Sequence, residues 1–482
     1  MASTTATKVV KIRKFSEIPG PWRIPIWGNL HLYKLGLYKK EEYHNVLLSM
    51  LKKYGPLVRE DIGPNNTIIH VFDPADAKVV FDNEGPMPMV EPLQETTQLY
   101  RKKKNTSPGL GNTNGEEWYK LRSAVRKGIL RPKEVQRYLP QVNEISDELV
   151  TRLNEKRDKE TGEIPDLRLE IGKWSREVSG WICFGRRLGC LDNGDGEREA
   201  AKLIQINKKG FKLSSDLKFS LPIYKFIQTP KWKELVKLEE TVHEYAASLV
   251  DKSIKACQGN SNSVLSYLLT QKELSRKDVE ILILSIFGDG LSTTVPSLLY
   301  NLYCLSVNPR IQALAREEVK AATEDGSYIS PDVINNKLQF LKAFVKETFR
   351  MYPIGTDISR IIQNDLVLSN YHVPKGTHIH LNQIVQYKSD AYFKEPTVFQ
   401  PERWLRDGND EIDPILLVPF GHGTRTCAGR RLAEQDLYVA LSKILLNFEL
   451  KYPDHLPPLE QVYEVLLFPK EPIRIKFMRI RE

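Results

Sequence analysis

One cysteine of this chain sits in a setting that could do chemistry. It lies in Phe420-Gly421-His422-Gly423-Thr424-Arg425-Thr426-Cys427-Ala428-Gly429, directly before a helix-like run from Arg430 to Leu446. Two glycines around Arg425 imply a tight loop whose backbone approaches something closely. Amides at a helix start, with Arg425 and Arg430 nearby, stabilise an anion, here a thiolate. A thiolate so placed suits a soft metal or iron, and one cysteine is enough for a haem iron. A buried thiol in a Gly-rich turn fits the same residues, so the loop alone leaves both readings open. The other cysteines, Cys183, Cys190, Cys257 and Cys304, have no such setting. An odd number at scattered spacing argues against a disulfide framework, and no CxxC pair suggests structural zinc. A reducing compartment is the natural setting.

The elements that must hold this loop are mostly helical. From about Trp118 the apolar spacing follows the helical period, as in Val142 to Leu153 and Lys233 to Lys255. Ser275-x-x-Asp278 reads as a capping box opening a run to about Asn308. At 1.5 Å per residue that run is about 45 Å long, enough to cross the molecule. Pro296 cannot donate to the carbonyl of Ser292, so the helix should open there, and Gly288 and Gly290 add freedom upstream. Tyr300 and Tyr303, beyond that point, read as core. Short strands are expected at Leu57 to Ile62, at Thr67 to Phe72 and within 366 to 381, where Val373-Pro374-Lys375-Gly376 makes a turn. His378 and His380 share one face of a strand-like run, as metal ligands would, but no carboxylate lies at ligand spacing, which favours plain strand surface.

With 482 residues, length alone allows about three domains. There are no repeats and no Gly/Ser linker, so a single large, mainly helical unit with a minor sheet is the better reading. Apolar residues at 41% and charged ones at 27% exclude a disordered or collagen-like chain. No run of 18 or more apolar residues encodes a membrane span. The net charge of +9 is diffuse, and its densest run, Arg101 to Lys104, lacks interleaved aromatics. That run reads as a solvated loop, and no nucleic-acid partner is expected. Met1 to Ser16 contains no acid and reads as an organellar targeting remnant or a disordered basic tail, with one domain over 17–482.

The spacing F-x-x-G-x-R-x-C-x-G is complete here, and it resembles the haem-binding loop of the cytochrome P-450 family. Three further motifs follow the family's order: Trp118-x-x-x-Arg122, Glu347-Thr348-Phe349-Arg350 and Pro401-Glu402-Arg403-Trp404. With the early Pro-Gly-Pro and the basic final strand, the resemblance covers nearly the whole chain. It implies the family fold with a long central helix, and haem b held by Cys427 as thiolate ligand. Phe420 would pack beside the sulfur. Trp118, Arg122, Arg360 and Arg425, joined by His422, would bind the haem propionates. Glu347, Arg350 and Arg403 would form a structural network that fixes the loop.

The resemblance further implies a monooxygenase that hydroxylates a lipophilic, sterol-like or xenobiotic molecule using dioxygen. Pocket-lining segments would fall near 85 to 112, 205 to 222, 284 to 293, 354 to 358 and 464 to 468, with Ile286, Phe287 and Leu291 facing the substrate. The central helix departs from the family's A/G-G-x-(D/E)-T-T. Here Asp289-Gly290-Leu291-Ser292-Thr293-Thr294 puts Ser292 where the acid stands. Thr293 keeps the hydroxyl, Ser292 can relay a proton, and Asp289, four residues before Thr293 on the same face, is the candidate carboxylate. The substitution also leaves room for an isomerase or dehydratase that does not activate oxygen, or a haem or lipophile carrier. Lys342 and Lys346, with Arg430 and Arg431, resemble the mitochondrial class, whose basic pair binds an adrenodoxin-type [2Fe–2S] ferredoxin. That class lies peripherally on the matrix side of the inner membrane.

Overall fold

The computed structural model describes residues 11–64, 66–129, 131–256, 262–324, 326–406 and 412–480. Of the acid-free leading segment, residues 1–10 lie outside this set, as does Cys257. Arg13 lies within it: its amide donates to the Asn370 carbonyl at 2.8 Å, its carbonyl accepts from His372, and its guanidinium stacks on Tyr371.

The helices that position the site are α1 (Glu95–Lys103), α2 (Gly115–Ile129), α3 (Leu139–Lys156), α4 (Leu167–Phe184), α5 (Asp195–Lys218), α6 (Pro230–Ala256), α7 (Arg276–Asp289), α8 (Thr294–Val307), α9 (Gln339–Met351) and α10 (Arg430–Asn447). The basic run expected to be a loop is instead the last turn of α1. Cations there complement the helix C-terminus, and Arg101 is half-buried with its guanidinium on the Pro108 carbonyl.

α4 is buried on every side and packs on α3, α5, α7 and α8. Its apolar Ile171, Trp174, Val178 and Ile182 are not enough to fill that surround, so charged residues are buried too and need partners. Glu170 meets Arg152 and Lys173, Glu177 accepts from Arg187, and Arg168 pairs with Glu471.

The central run spans Arg276–Val307, 32 residues, long and apolar enough to cross a membrane but mostly buried inside the protein. Its capping box forms as expected, with Ser275 accepting from the Asp278 amide. The opening falls upstream of the expected place: α7 ends at Asp289 and α8 begins at Thr294. Pro296 thereby occupies the first turn of α8, where a missing N–H removes no helical bond.

The main sheet has the order β1-β2-β6-β3, with β1 (Leu57–Asp61), β2 (Thr67–Val71), β3 (Ile358–Ile361) and β6 (His378–Leu381). β1 and β3 are antiparallel to their neighbours, and β2 runs parallel to β6. Between β3 and β6 a small hairpin forms from β4 (Leu366–Leu368) and β5 (Tyr371–Val373), turning at Ser369-Asn370 with positive φ at both. β7 (Phe448–Lys451) pairs with β10 (Lys476–Arg479), and β8 (Gln461–Glu464) with β9 (Leu466–Pro469). The Pro-Gly-Pro corner is fixed by close approach: Arg59 donates to the Pro19 carbonyl, and a Cβ on Gly20 would lie 2.0 Å from the Arg59 oxygen.

Candidate active site

The Cys427 loop turns at Gly421 and Gly423, both at φ near +70 to +80°, a region closed to most side chains. The Cys427 amide donates to the Phe420 carbonyl at 2.8 Å, closing the loop before α10 begins. Burial raises the Cys427 thiol, while the amides of Gly429 and Arg430 and the nearby Arg122 oppose that rise by favouring the thiolate. Phe420 packs edge-on against Phe349 of α9, tying the loop to the helix behind it.

That helix carries a fully satisfied charge network. Glu347 accepts two bonds from Arg350 at 2.9 and 2.7 Å, one from Arg403 at 3.3 Å, one from Trp404 Nε1 at 2.8 Å and one from the Gln400 amide. Arg350 also donates to the carbonyls of Pro396 and Val398, and Arg403 to that of Lys394. None of the three charged side chains touches solvent. The network therefore fixes the 394–404 segment onto α9.

Beside the loop, three guanidiniums converge. Arg425 stacks 3.9 Å from the Trp118 ring and donates to the carbonyls of Pro88 and Thr113. Arg122 donates to the Thr426 carbonyl at 2.8 Å. Arg360 pairs with Glu84, a partner that no sequence signal marked, and donates to the His422 carbonyl. The His422 ring itself packs on Phe81. Burial together with Arg360 and Arg122 pushes Arg425 down to about 9. One carboxylate against three cations leaves an excess of positive charge that suits an anionic ligand.

Across from the sulfur stands the opening between α7 and α8. Asp289 and Cys427 lie deep in the protein yet keep accessible side chains, as does Thr293 one turn from Asp289, so the three face open space rather than packed core. Asp289 and Cys427 are close enough to act on each other's charge. Among the described residues nothing pairs with the Asp289 carboxylate. Burial raises its pKa to about 6, with Arg101 pulling the other way. The Thr293 hydroxyl donates to the Asp289 carbonyl oxygen at 2.8 Å. Ser292 does not face that open space: it is buried, and its hydroxyl donates to the same carbonyl.

Two expectations are corrected. Phe287 does not face a pocket, because two residues before Asp289 puts it on the other side of α7, between Arg176, Tyr245 and Phe184. His380 is not strand surface: it is buried and shares Glu91 with His378, with Asp357 3.2 Å from its other nitrogen. Burial works against its charge, but those carboxylates raise its pKa on balance. Glu91 arrives from far along the chain, out of reach of any spacing rule. No group of metal-binding type is found among the described residues.

Lys342 and Lys346 lie on one face of α9. Lys346 is exposed, whereas Lys342 is half-buried and donates to the Asn335 carbonyl. Glu434 pairs with Arg430 at 3.0 Å and also acts on Lys342, so one cation of each basic pair lies near the same carboxylate. Arg431 is exposed beside Arg430.

A cysteine loop opposed by an interrupted acid- and hydroxyl-bearing helix, with an arginine cradle at its edge, is the arrangement of haem-thiolate proteins. The chain belongs to the cytochrome P450 family, whose sequence model matches residues 18–477. It is 40% identical to the probable cytochrome P450 CYP44 of Caenorhabditis elegans, over 99% of this chain and 96% of that one. Identity is 34% to cytochrome P450 10 of Lymnaea stagnalis, covering 98% and 88%. It is 30% to the mitochondrial 1,25-dihydroxyvitamin D(3) 24-hydroxylase of Rattus norvegicus, covering 96% and 89%. The protein is thus a haem-dependent monooxygenase, of a family that holds haem by a cysteine thiolate.

Proposed function

We propose that Cys427 is the iron ligand and that the substrate is a lipophilic small molecule. The observation that carries the first part is the open space faced by the sulfur on one side and by Asp289 and Thr293 on the other. Trp118, Arg122, Arg360 and Arg425 hold the propionates, Phe420 packs by the sulfur, and Glu347, Arg350 and Arg403 keep the loop in place. When bound, the haem supplies the electron-rich centre at which dioxygen is activated. This chain's own part is to deliver protons there and to exclude bulk water. A carboxyl with a pKa of about 6 can give and regain a proton near neutrality, and Thr293 beside it can carry that proton into the cavity. Ser292 supports the Asp289 carbonyl from behind. Lipophilicity of the substrate is supported by Phe211, Ile354, Val465, Leu466 and Phe468, which gather from three separate segments into one apolar cluster. Replacing Cys427 with Ala should abolish the thiolate-type ferrous–CO spectrum. A variant that kept it would assign the ligand elsewhere.

The electron donor proposed is an acidic [2Fe–2S] ferredoxin of the adrenodoxin type, docking on Lys342, Lys346, Arg430 and Arg431. Support comes from the nearness of Arg430 and Lys342 to the shared Glu434 and from relatives with mitochondrial names, among them cytochrome P450 302a1 of Drosophila melanogaster. Those names also support a mitochondrial location, peripheral on the matrix side of the inner membrane. An exposed apolar surface supports the peripheral reading. Trp22 at 73% and Phe226 at 88% are the most exposed large apolar residues of two segments that also expose Ile26, Leu35, Leu37 and Ile227. The segments adjoin, since Gly63 lies against both Leu30 and Pro222. Lys34 stands among them, while Arg23 and Lys225 beside it are paired with Asp61 and Glu95. Phe226→Ser together with Ile227→Ser should lower sedimentation with cardiolipin-containing vesicles several-fold. Unchanged binding would remove this face from consideration.

A further inference from the structure

The interruption between α7 and α8 leaves a backbone carbonyl without its helical partner. In a continuous helix the Leu291 amide would donate to the Phe287 oxygen. Here it donates to Gly288 at 3.2 Å, Ser292 donates to Asp289 at 3.1 Å, and Val295 reaches back to Gly290 at 3.0 Å. The Phe287 oxygen is taken instead by a side chain from another helix: Arg176 of α4 donates to it at 2.9 Å.

Arg176 is an unusual occupant. It is buried, and its guanidinium lies 3.3 Å from the Phe287 ring centroid, with the Tyr245 hydroxyl of α6 as a further partner. The other buried charges of α4 described above meet opposite charges, but among the described residues Arg176 meets no carboxylate. The groups acting on its charge are Cys190, Tyr245 and Cys183, and burial brings its pKa down to about 10, so it stays cationic at neutral pH. An unpaired buried cation is costly, and it is held here by a ring face, a hydroxyl and the negative end of α7. Next to it on α4, Ser175 approaches the same interruption: a Cβ on Gly290 would lie 3.0 Å from the Ser175 oxygen.

We propose that Arg176 is a positioning residue for the oxygen-activating site. By occupying the Phe287 carbonyl it takes the place of the lost helical bond and holds α7 ended at Asp289, so that Asp289 and Thr293 face the cavity. The part concerning oxygen rests on the relay reading of Asp289 given above; the part concerning the backbone does not.

The test uses the haem-loaded full-length protein and two readouts, amide hydrogen exchange over 288–296 and peroxide released per electron pair consumed. Arg176→Met fills the space but has no donor. Exchange over 288–296 should rise about tenfold, the effect of losing one charge-assisted hydrogen bond, with the rest of α4 and α7 little changed. Peroxide release should rise with it. Arg176→Lys keeps a cationic N–H donor that ends one bond short of the guanidinium nitrogens and should restore much of both. If Arg176→Met does not accumulate with haem, Tyr245→Phe loosens the guanidinium without emptying the site, and a smaller rise confined to 288–296 is expected. Wild-type exchange in Arg176→Met overturns the proposal. So does a rise in Arg176→Lys or Tyr245→Phe spread evenly over α4, α6 and α7, since that marks general destabilisation. Normal coupling in Asp289→Asn would end the relay reading while leaving the exchange result to decide on Arg176.

Discussion

The two walls of the cavity are built in opposite ways. On the thiolate side, Glu347, Arg350 and Arg403 are fully buried and saturated with partners, and the loop turns on two glycines. On the other side the helix is interrupted, a carbonyl is satisfied only by a side chain from α4, and the Asp289 carboxylate has no partner among the described residues. The proposed metal ligand must stay put, and each group around it is tied down. The proposed proton carrier must titrate near neutrality, which a salt bridge would prevent by holding the carboxylate ionised. The contrast thus separates a group that is held from a group that is left free.

The largest effect should come from breaking the tied side. Glu347→Gln keeps the shape but removes the charge that Arg350 and Arg403 share, leaving Arg350 a buried cation without its carboxylate partner. A loss on the order of 3–5 kcal/mol is expected, read as a lower melting temperature and as weak haem retention. If Glu347→Gln kept both near wild-type values, the network would not be what fixes the loop.

On the free side, Asp289→Asn should preserve fold, haem and substrate binding while product formation falls about 10²-fold and peroxide release rises. The pH behaviour sharpens this. The raised pKa means the native state holds a proton that the unfolded chain has already lost. That contribution is complete below the ordinary carboxylate range, near pH 4, and disappears as pH rises through about 6. Wild-type coupling should fall over the same interval as the proton donor empties. In Asp289→Asn both the stability slope and the coupling slope should flatten. A coupling profile identical to wild type would remove Asp289 from the relay.

The same contrast explains what could be read from the sequence. The thiolate side is local: Phe420 to Gly429 is a contiguous loop, and Glu347 and Arg350 are one helical turn apart, so residue types at short spacing carry the site. The capping box at Ser275 and Asp278 is local in the same way. The partners that spacing did not show come from distant segments. Glu84 reaches Arg360, Glu91 reaches His378 and His380, and Arg176 reaches Phe287, each across more than a hundred positions. Pro296 did signal a defect in the helix, but its position followed from where proline is tolerated, the first turn of a new helix. The basic run at 101–104 reads as a loop for a related reason, since its charges suit a helix C-terminus that composition alone does not reveal.

The smallest effect is expected on the outer face of the thiolate side, where the basic residues are not equivalent. Lys342 is half-buried; desolvation lowers its pKa, and Glu318 and Glu434 already answer its charge. Lys346, one turn along α9, is exposed above the Trp404 ring at 5.9 Å. A charge already answered adds little to the field a ferredoxin meets, whereas a free one steers it. Lys346→Gln should therefore weaken ferredoxin affinity about fivefold and Lys342→Gln about twofold, both effects fading at high salt. Reversing both charges to Glu should cost at least tenfold, with the haem spectrum unchanged, because rim charges contribute to encounter rather than to the fold. Equal losses from the two single variants would show that Glu434 turns away from Lys342 when the partner docks. No loss from the double reversal would place the ferredoxin on another face.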